Sequence, residues 1–124
     1  VRATNVVQLD EVQIGEGATL RDFVTQTSNI CIGKHFHANL YSYVEQDCVI
    51  GDYVTFAPGV MCNGNVHIED HAYIGAGAVI TQGLPGAPLV IGRGAVVGMG
   101  AGVTKSVPPG VTVVGNPARP LIKN

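Results

Sequence analysis

The sequence predicts an all-β chain wound as a parallel β-helix of hexapeptide repeats, on three observations. The first is a period of six. Stepping from Ile14 gives Leu20, Gln26, Ile32, Ala38, Val44, Ile50, Phe56, Cys62, Ile68, Ile74 and Ile80, and of these twelve positions only Gln26 is not apolar. The second is a parallel row four residues after each of these: Ala18, Val24, Ile30, Phe36, Ser42, Cys48, Val54, Val60, Val66, Ala72 and Ala78, all small or apolar. The third is composition. Apolar residues make up 46% and charged residues 13%, with 17 glycines and no Trp, which suits short buried strands joined by tight turns. A six-residue period fits neither an amphipathic helix nor a plainly alternating strand.

Taken in order, three hexads make a coil of 18 residues, and each coil adds about 4.8 Å along the axis. Glycine follows the inward residue at Gly15, Gly33, Gly51 and Gly75, marking turns. The phase slips after Ile80. The stretch TQGLPGAPLV intervenes and the period resumes at Ile91, Val97 and Val103, so five extra residues are expected to bulge as a loop near 82–88. The chain reads as one domain over 1–124, with a short C-terminal tail from about 107 to 124.

The bulk numbers exclude several functions. A net charge of −2, a pI near 6.0 and no adjacent Lys/Arg pair point away from a nucleic-acid partner. No apolar run approaches the ~20 residues of a membrane span, and no signal peptide is recognisable. Cys31, Cys48 and Cys62 are odd in number and form no CxxC, so reduced thiols in a cytoplasmic protein are expected, with Cys48 and Cys62 in the core. His35, His37, His67 and His71 are too scattered to hold one ion in a single chain, and no metal is expected. The stretches GAGAVI and GMGAGV are hexad turns rather than a dinucleotide fingerprint.

Eighteen residues per coil turns spacing into geometry. Ser28, Gln46 and Gly64 form one column, His37, Thr55 and Tyr73 a second, and His35, Tyr53 and His71 a third. A glycine beside an outward polar side chain leaves its N–H reachable, able to donate to a carbonyl oxygen that turns negative during acyl transfer. Gln46 and Gly64 are therefore the candidate reaction centre.

The segments HANLYSYVEQDCVIGD, FAPGVMCNGNVHI, AYIGAGAVI and VVGMGAGVTKSVPPGVTVVGNPARPL together resemble the hexapeptide-repeat acyltransferases. Within them the chain is similar to sialic-acid O-acetyltransferase and the nucleotide-amino-sugar N-acetyltransferases. The resemblance implies a left-handed coil and a cytoplasmic homotrimer with sites between neighbouring β-helices. It implies acetyl-coenzyme A as co-substrate and a sugar or nucleotide-sugar acceptor, acetylated on a hydroxyl or amine. The family's base is a histidine followed by an acid, at the positions of Gln46 and Asp47 here, and Asp47 is expected to organise the side chain at 46. Gly64 corresponds to the residue whose amide faces the thioester carbonyl. Thr55, Gly64, Ala76, Gly77, Gly98, Gly100 and Lys105 fall at positions bordering the coenzyme cleft, with Arg119 a further candidate for its phosphates, and His37 and Asn39 are placed on the acceptor side. Glutamine takes no proton at neutral pH. Three readings of Gln46 stay open: an engineered substitution of a natural histidine, an enzyme working without a base at 46 (by positioning, or with His37 as the base), or a catalytically inactive trimeric scaffold.

Overall fold

The structure, a computed structural model, describes residues 1–122 of the chain. The last two positions of the expected domain, 123 and 124, lie outside the described residues. The inward hexad residues pair coil upon coil into three parallel sheets, giving an all-β solenoid with a triangular section and no helix among the described residues. The architecture is the one expected, consistent with a left-handed coil.

A six-stranded sheet stacks Val7–Gln8, Thr25–Gln26, Tyr43–Val44, Met61–Cys62, Val79–Ile80 and Gly102–Val103. A five-stranded sheet stacks Val12–Ile14, Ile30–Ile32, Val49–Ile50, Val66–Ile68 and Leu89–Ile91. A seven-stranded sheet begins at Thr19–Leu20 and runs through His37–Ala38, Thr55–Phe56, Tyr73–Ile74, Val96–Val97 and Thr112–Val114. Its last strand, Arg119–Pro120, turns back antiparallel and covers the open edge. The segment expected as a tail thus adds Thr112–Val114 to the solenoid, parallel to Val96–Val97.

Strands of two or three residues bury little alone, so neighbouring coils supply most of the stability. The core is the twin inward rows: Ile30, Phe36, Val54, Val60 and Val66 from one, Ile50, Phe56, Ile68, Ile74 and Ile80 from the other. Gln26, the exception to the pattern, is fully buried all the same. Its Oε1 accepts from Gln8 Nε2, while its own Nε2 has no partner among the described residues.

Corners have a rule that the period did not reveal. The residue three after an inward position takes a left-handed backbone at Phe23, Asn29, His35, Tyr41, Asp47, Tyr53, Asn65 and His71, and as glycine at Gly17, Gly59, Gly77, Gly94 and Gly100; Gly83, at the start of the loop, departs from it. A non-glycine residue there costs roughly 1 kcal/mol or more. Ladders along the corners offset it. Phe23 stacks on Tyr41 at 4.9 Å, and Tyr53 stacks between His35 and His71 at 5.1 Å each.

The phase slip is a loop. Gly83 N donates to Gly64 O (3.0 Å) and Leu89 N to Asn65 O (3.1 Å), so the chain leaves and rejoins the coil at adjoining points. The residues between close through paired backbone bonds of Leu84 and Ala87. Pairing offsets change from 18, as in Ile32 with Ile50, to 23, as in Ile68 with Ile91.

Candidate active site

Gln46 stands on the corner between Tyr43–Val44 and Val49–Ile50. The i+18 register puts Gly64 directly above it: Asn65 N donates to Gln46 O at 3.1 Å. A Cβ on Gly64 would lie 2.8 Å from Gln46 Nε2, so the Gln46 amide leans into the space that the glycine leaves. Gly64 is buried, yet its N–H has no acceptor among the described residues. The N–H groups of Ser28 and Gln46, below it in the column, are likewise unpaired, so this turn leaves its second amide without an acceptor among the described residues. No described residue hydrogen-bonds the Gln46 side chain either.

Asp47 is placed differently from expectation. Its Oδ1 accepts from Asn29 Nδ2 at 2.8 Å, and it forms no hydrogen bond with Gln46. The left-handed backbone at Asp47, φ 62°, turns its side chain into the Asn29–Asp47–Asn65 corner column, one position away from that of Gln46. The acid fixes the turn rather than the neighbouring side chain.

Below and beside this corner, Tyr43 OH donates to Asn63 Oδ1 (2.9 Å), and Asn63 Nδ2 donates to Ile80 O (2.8 Å). Burial, then the Glu45 charge, pushes the Tyr43 phenol up. Behind it the two core thiols share the carbonyl of Asn63, with Cys48 Sγ at 3.2 Å. The neighbouring Cys62 thiol holds Cys48 below its ordinary value, and Cys48 in turn, with burial, drives Cys62 well above its own. A groove of about 280 Å³ opens on the six-stranded sheet, lined by Phe23, Thr25, Thr27, Tyr41, Tyr43 and Glu45, the residue before Gln46.

The structure brings Gln46, Gly64 and Lys105 into one corner column, with Lys105 three coils above Gln46 and the 83–88 loop standing over Gly64 below it. It does not bring the other expected residues there. His37, Asn39 and Thr55 lie on the seven-stranded sheet, which faces the opposite side of the triangular section. Asn39 Nδ2 donates to Phe56 O at 2.9 Å. Ala76, Gly77, Gly98 and Gly100 line the adjoining corner, where a Cβ on Gly77 or Gly100 would meet nothing within 4 Å. A cleft containing both groups needs two copies of the chain. Arg119 sits on the closing antiparallel strand. Among the described residues, no group of three His, Cys, Asp or Glu side chains is arranged to hold a metal ion, and no helix is long and apolar enough to cross a membrane.

Two features of the corner escaped the sequence reading. Tyr43 and Asn63 meet because positions 20 apart on one sheet lie diagonally. The overhang is legible in the spacing, since Gln82, at the start of the loop, is 18 residues beyond Gly64.

The repeat and the fold define the class. Residues 47–82 match the family model described as bacterial transferase hexapeptide (six repeats), and residues 65–105 match the hexapeptide repeat of succinyl-transferase. The chain belongs to the hexapeptide-repeat acyltransferase family. Within it the chain is 62% identical over 121 residues to GDP-perosamine N-acetyltransferase of Escherichia coli O157:H7, covering 98% of this chain and 55% of that protein. The structure of WeeI from Acinetobacter baumannii AYE superposes with a TM-score of 0.96 at 74% identity, covering 97% of this chain and 57% of that one. PerB from Caulobacter crescentus, solved in complex with CoA and GDP-perosamine, superposes at 0.89 with 28% identity, covering 97% and 56%. The chain spans about half the length of these relatives.

Proposed function

We propose that this chain is the acetyl-transferring β-helix of a nucleotide-sugar N-acetyltransferase. It would move the acetyl group of acetyl-coenzyme A onto an amine of a nucleotide-linked sugar. The observation that carries this is the buried, unpartnered Gly64 N–H beside Gln46, at the position where the family presents an amide to the thioester carbonyl. The relatives support the acceptor: one is named for GDP-perosamine, and another was solved with CoA and GDP-perosamine bound. The groove on the six-stranded sheet suits such an acceptor, with the Phe23–Tyr41 stack for a sugar face, Thr hydroxyls for its oxygens and Glu45 to accept from its hydroxyl or amine N–H groups.

The working form in this reading is a cytoplasmic homotrimer. One copy's Gln46 corner, with Lys105, faces the next copy's seven-stranded sheet. Thr55, Ala76, Gly77, Gly98 and Gly100 there border the coenzyme, and His37 and Asn39 face the acceptor.

The test is free-thiol release from acetyl-coenzyme A with a panel of amino and hydroxy nucleotide sugars, alongside sedimentation of the protein. Turnover with an amino sugar by a trimer is expected. A protein that binds no acetyl-coenzyme A at millimolar concentration would instead be a scaffold of the same fold.

A further inference from the structure

Position 46 carries a side chain that cannot be a base, and the surrounding geometry gives it other work. We infer that the Gln46 amide is a second hydrogen-bond donor to the carbonyl oxygen that becomes negative, acting beside the Gly64 N–H, and that a corner built this way acetylates amines and not hydroxyls. The inference rests on the acetyl-transfer reading above.

Three observations converge on it. The exposed Gln46 side chain leans over Gly64, its Nε2 2.8 Å from where a Cβ of residue 64 would stand. Neither the Gln46 side chain nor the Gly64 N–H is engaged by another described residue. Asp47, which would have to orient a base at 46, gives its carboxylate to Asn29. A glutamine amide offers two N–H donors and no site that takes a proton at neutral pH. Two neighbouring, uncommitted donors at one corner are the arrangement that an oxyanion requires.

The chemistry closes without a base. The unprotonated amine adds its lone pair to the thioester carbon, forming the N–C bond, and the carbonyl π pair moves onto oxygen, where Gln46 and Gly64 donate to it. The oxyanion then collapses and the C–S bond breaks. The sulfur leaves as thiolate, and the extra proton on nitrogen passes through water to that thiolate. The products are the amide and the free thiol of coenzyme A. An amine needs only to be unprotonated beforehand. A hydroxyl must lose its proton during attack, and without a base that step forgoes a ~10²–10⁴-fold contribution.

The experiment measures thiol release from acetyl-coenzyme A with GDP-perosamine and with the matching 4-hydroxy sugar nucleotide, from pH 6 to 9.5. It uses the protein and the variants Gln46→Ala, Gln46→Glu and Gln46→His, and titrates acetyl-coenzyme A binding to each. The expected rate of the unaltered protein rises along the amine's own ionisation, with no turnover of the hydroxy sugar. Gln46→Ala and Gln46→Glu both lose about 10²-fold or more in kcat, with KM for acetyl-coenzyme A nearly unchanged. A rate for Gln46→Glu equal to or above that of the unaltered protein overturns the donor role, as does an unchanged rate for Gln46→Ala. Efficient turnover of the hydroxy sugar overturns the selectivity. No thiol release by any variant, together with no coenzyme binding, removes the acetyl-transfer reading itself and the donor role with it.

Discussion

At the scale of single residues, the corner column and the buried thiols are where chemistry departs from pattern. Cys48 and Cys62 read from the sequence as core residues, and both are buried. What the sequence did not show is that both thiols converge on the carbonyl of Asn63, and that their proximity pushes them in opposite directions, Cys48 down and Cys62 up. The consequence is a pH dependence with a definite sign. In the unfolded chain both thiols ionise near their ordinary pKa of about 8.5. The folded chain keeps Cys62 protonated well beyond that point, so its contribution to stability is full below the ordinary value and is lost as pH rises above it. Tyr43, also raised, adds the same sign at higher pH. The lowered Cys48 acts oppositely, adding stability in the alkaline range against the two raised groups. The melting temperature is therefore expected to fall between about pH 8.5 and 10.5. Cys62→Ala is expected to flatten that fall while lowering the melting temperature at neutral pH through the cavity it leaves. An alkaline slope that survives Cys62→Ala unchanged would assign the effect elsewhere.

At the scale of the turn and strand, glycines that look alike in the repeat have different work. A Cβ on Gly75 would lie 2.6 Å from Met99 N, 2.8 Å from Gly98 C and 2.8 Å from Val97 O, all backbone of the coil above, and Gly75 N itself donates to Val97 O. Neither side can give way without breaking the ladder. Gly77 is needed for its left-handed backbone, φ 69°, and a methyl group there meets open space. Gly77→Ala is therefore expected to cost about 1 kcal/mol, and Gly75→Ala several times more, read as denaturant midpoints on the two variants. Equal losses would show that backbone strain, and not contact between coils, sets the price. The sequence marked Gly75 by its place after an inward residue. The left-handed corner rule stayed hidden because aromatic, histidine, asparagine and aspartate side chains occupy it, and their cost is met only by the neighbours they stack on.

At the scale of the molecule, each coil touches only the coils above and below, so stability is a sum of neighbour terms. The first coil has a neighbour on one side only, and its Val12 and Ile14 are just partly buried, whereas Ile50, Ile68 and Ile74 are almost wholly enclosed. Native-state amide exchange is expected to be slowest from Ile30 to Ile91 and fastest over residues 1–14, with the Arg119–Pro120 strand slowing exchange at the upper end. Uniform protection along the chain would mean that the solenoid opens as a single unit.

The sequence by itself determined the coil: the period, the two inward rows, the loop at the phase slip and the stacking of Gln46 under Gly64. These follow from a repeat in which position along the chain is position around the axis, so spacing alone reports contact. The tertiary structure decided what spacing cannot carry: the turn of Asp47 toward Asn29, the lean of the Gln46 amide over Gly64, the convergence of the two thiols on the Asn63 carbonyl and the strand that closes the top. Each depends on a side-chain direction or a left-handed backbone, set by the residues one coil away. The same geometry separates the Gln46 corner from the seven-stranded sheet, because opposite sides of a triangular section cannot meet within one chain.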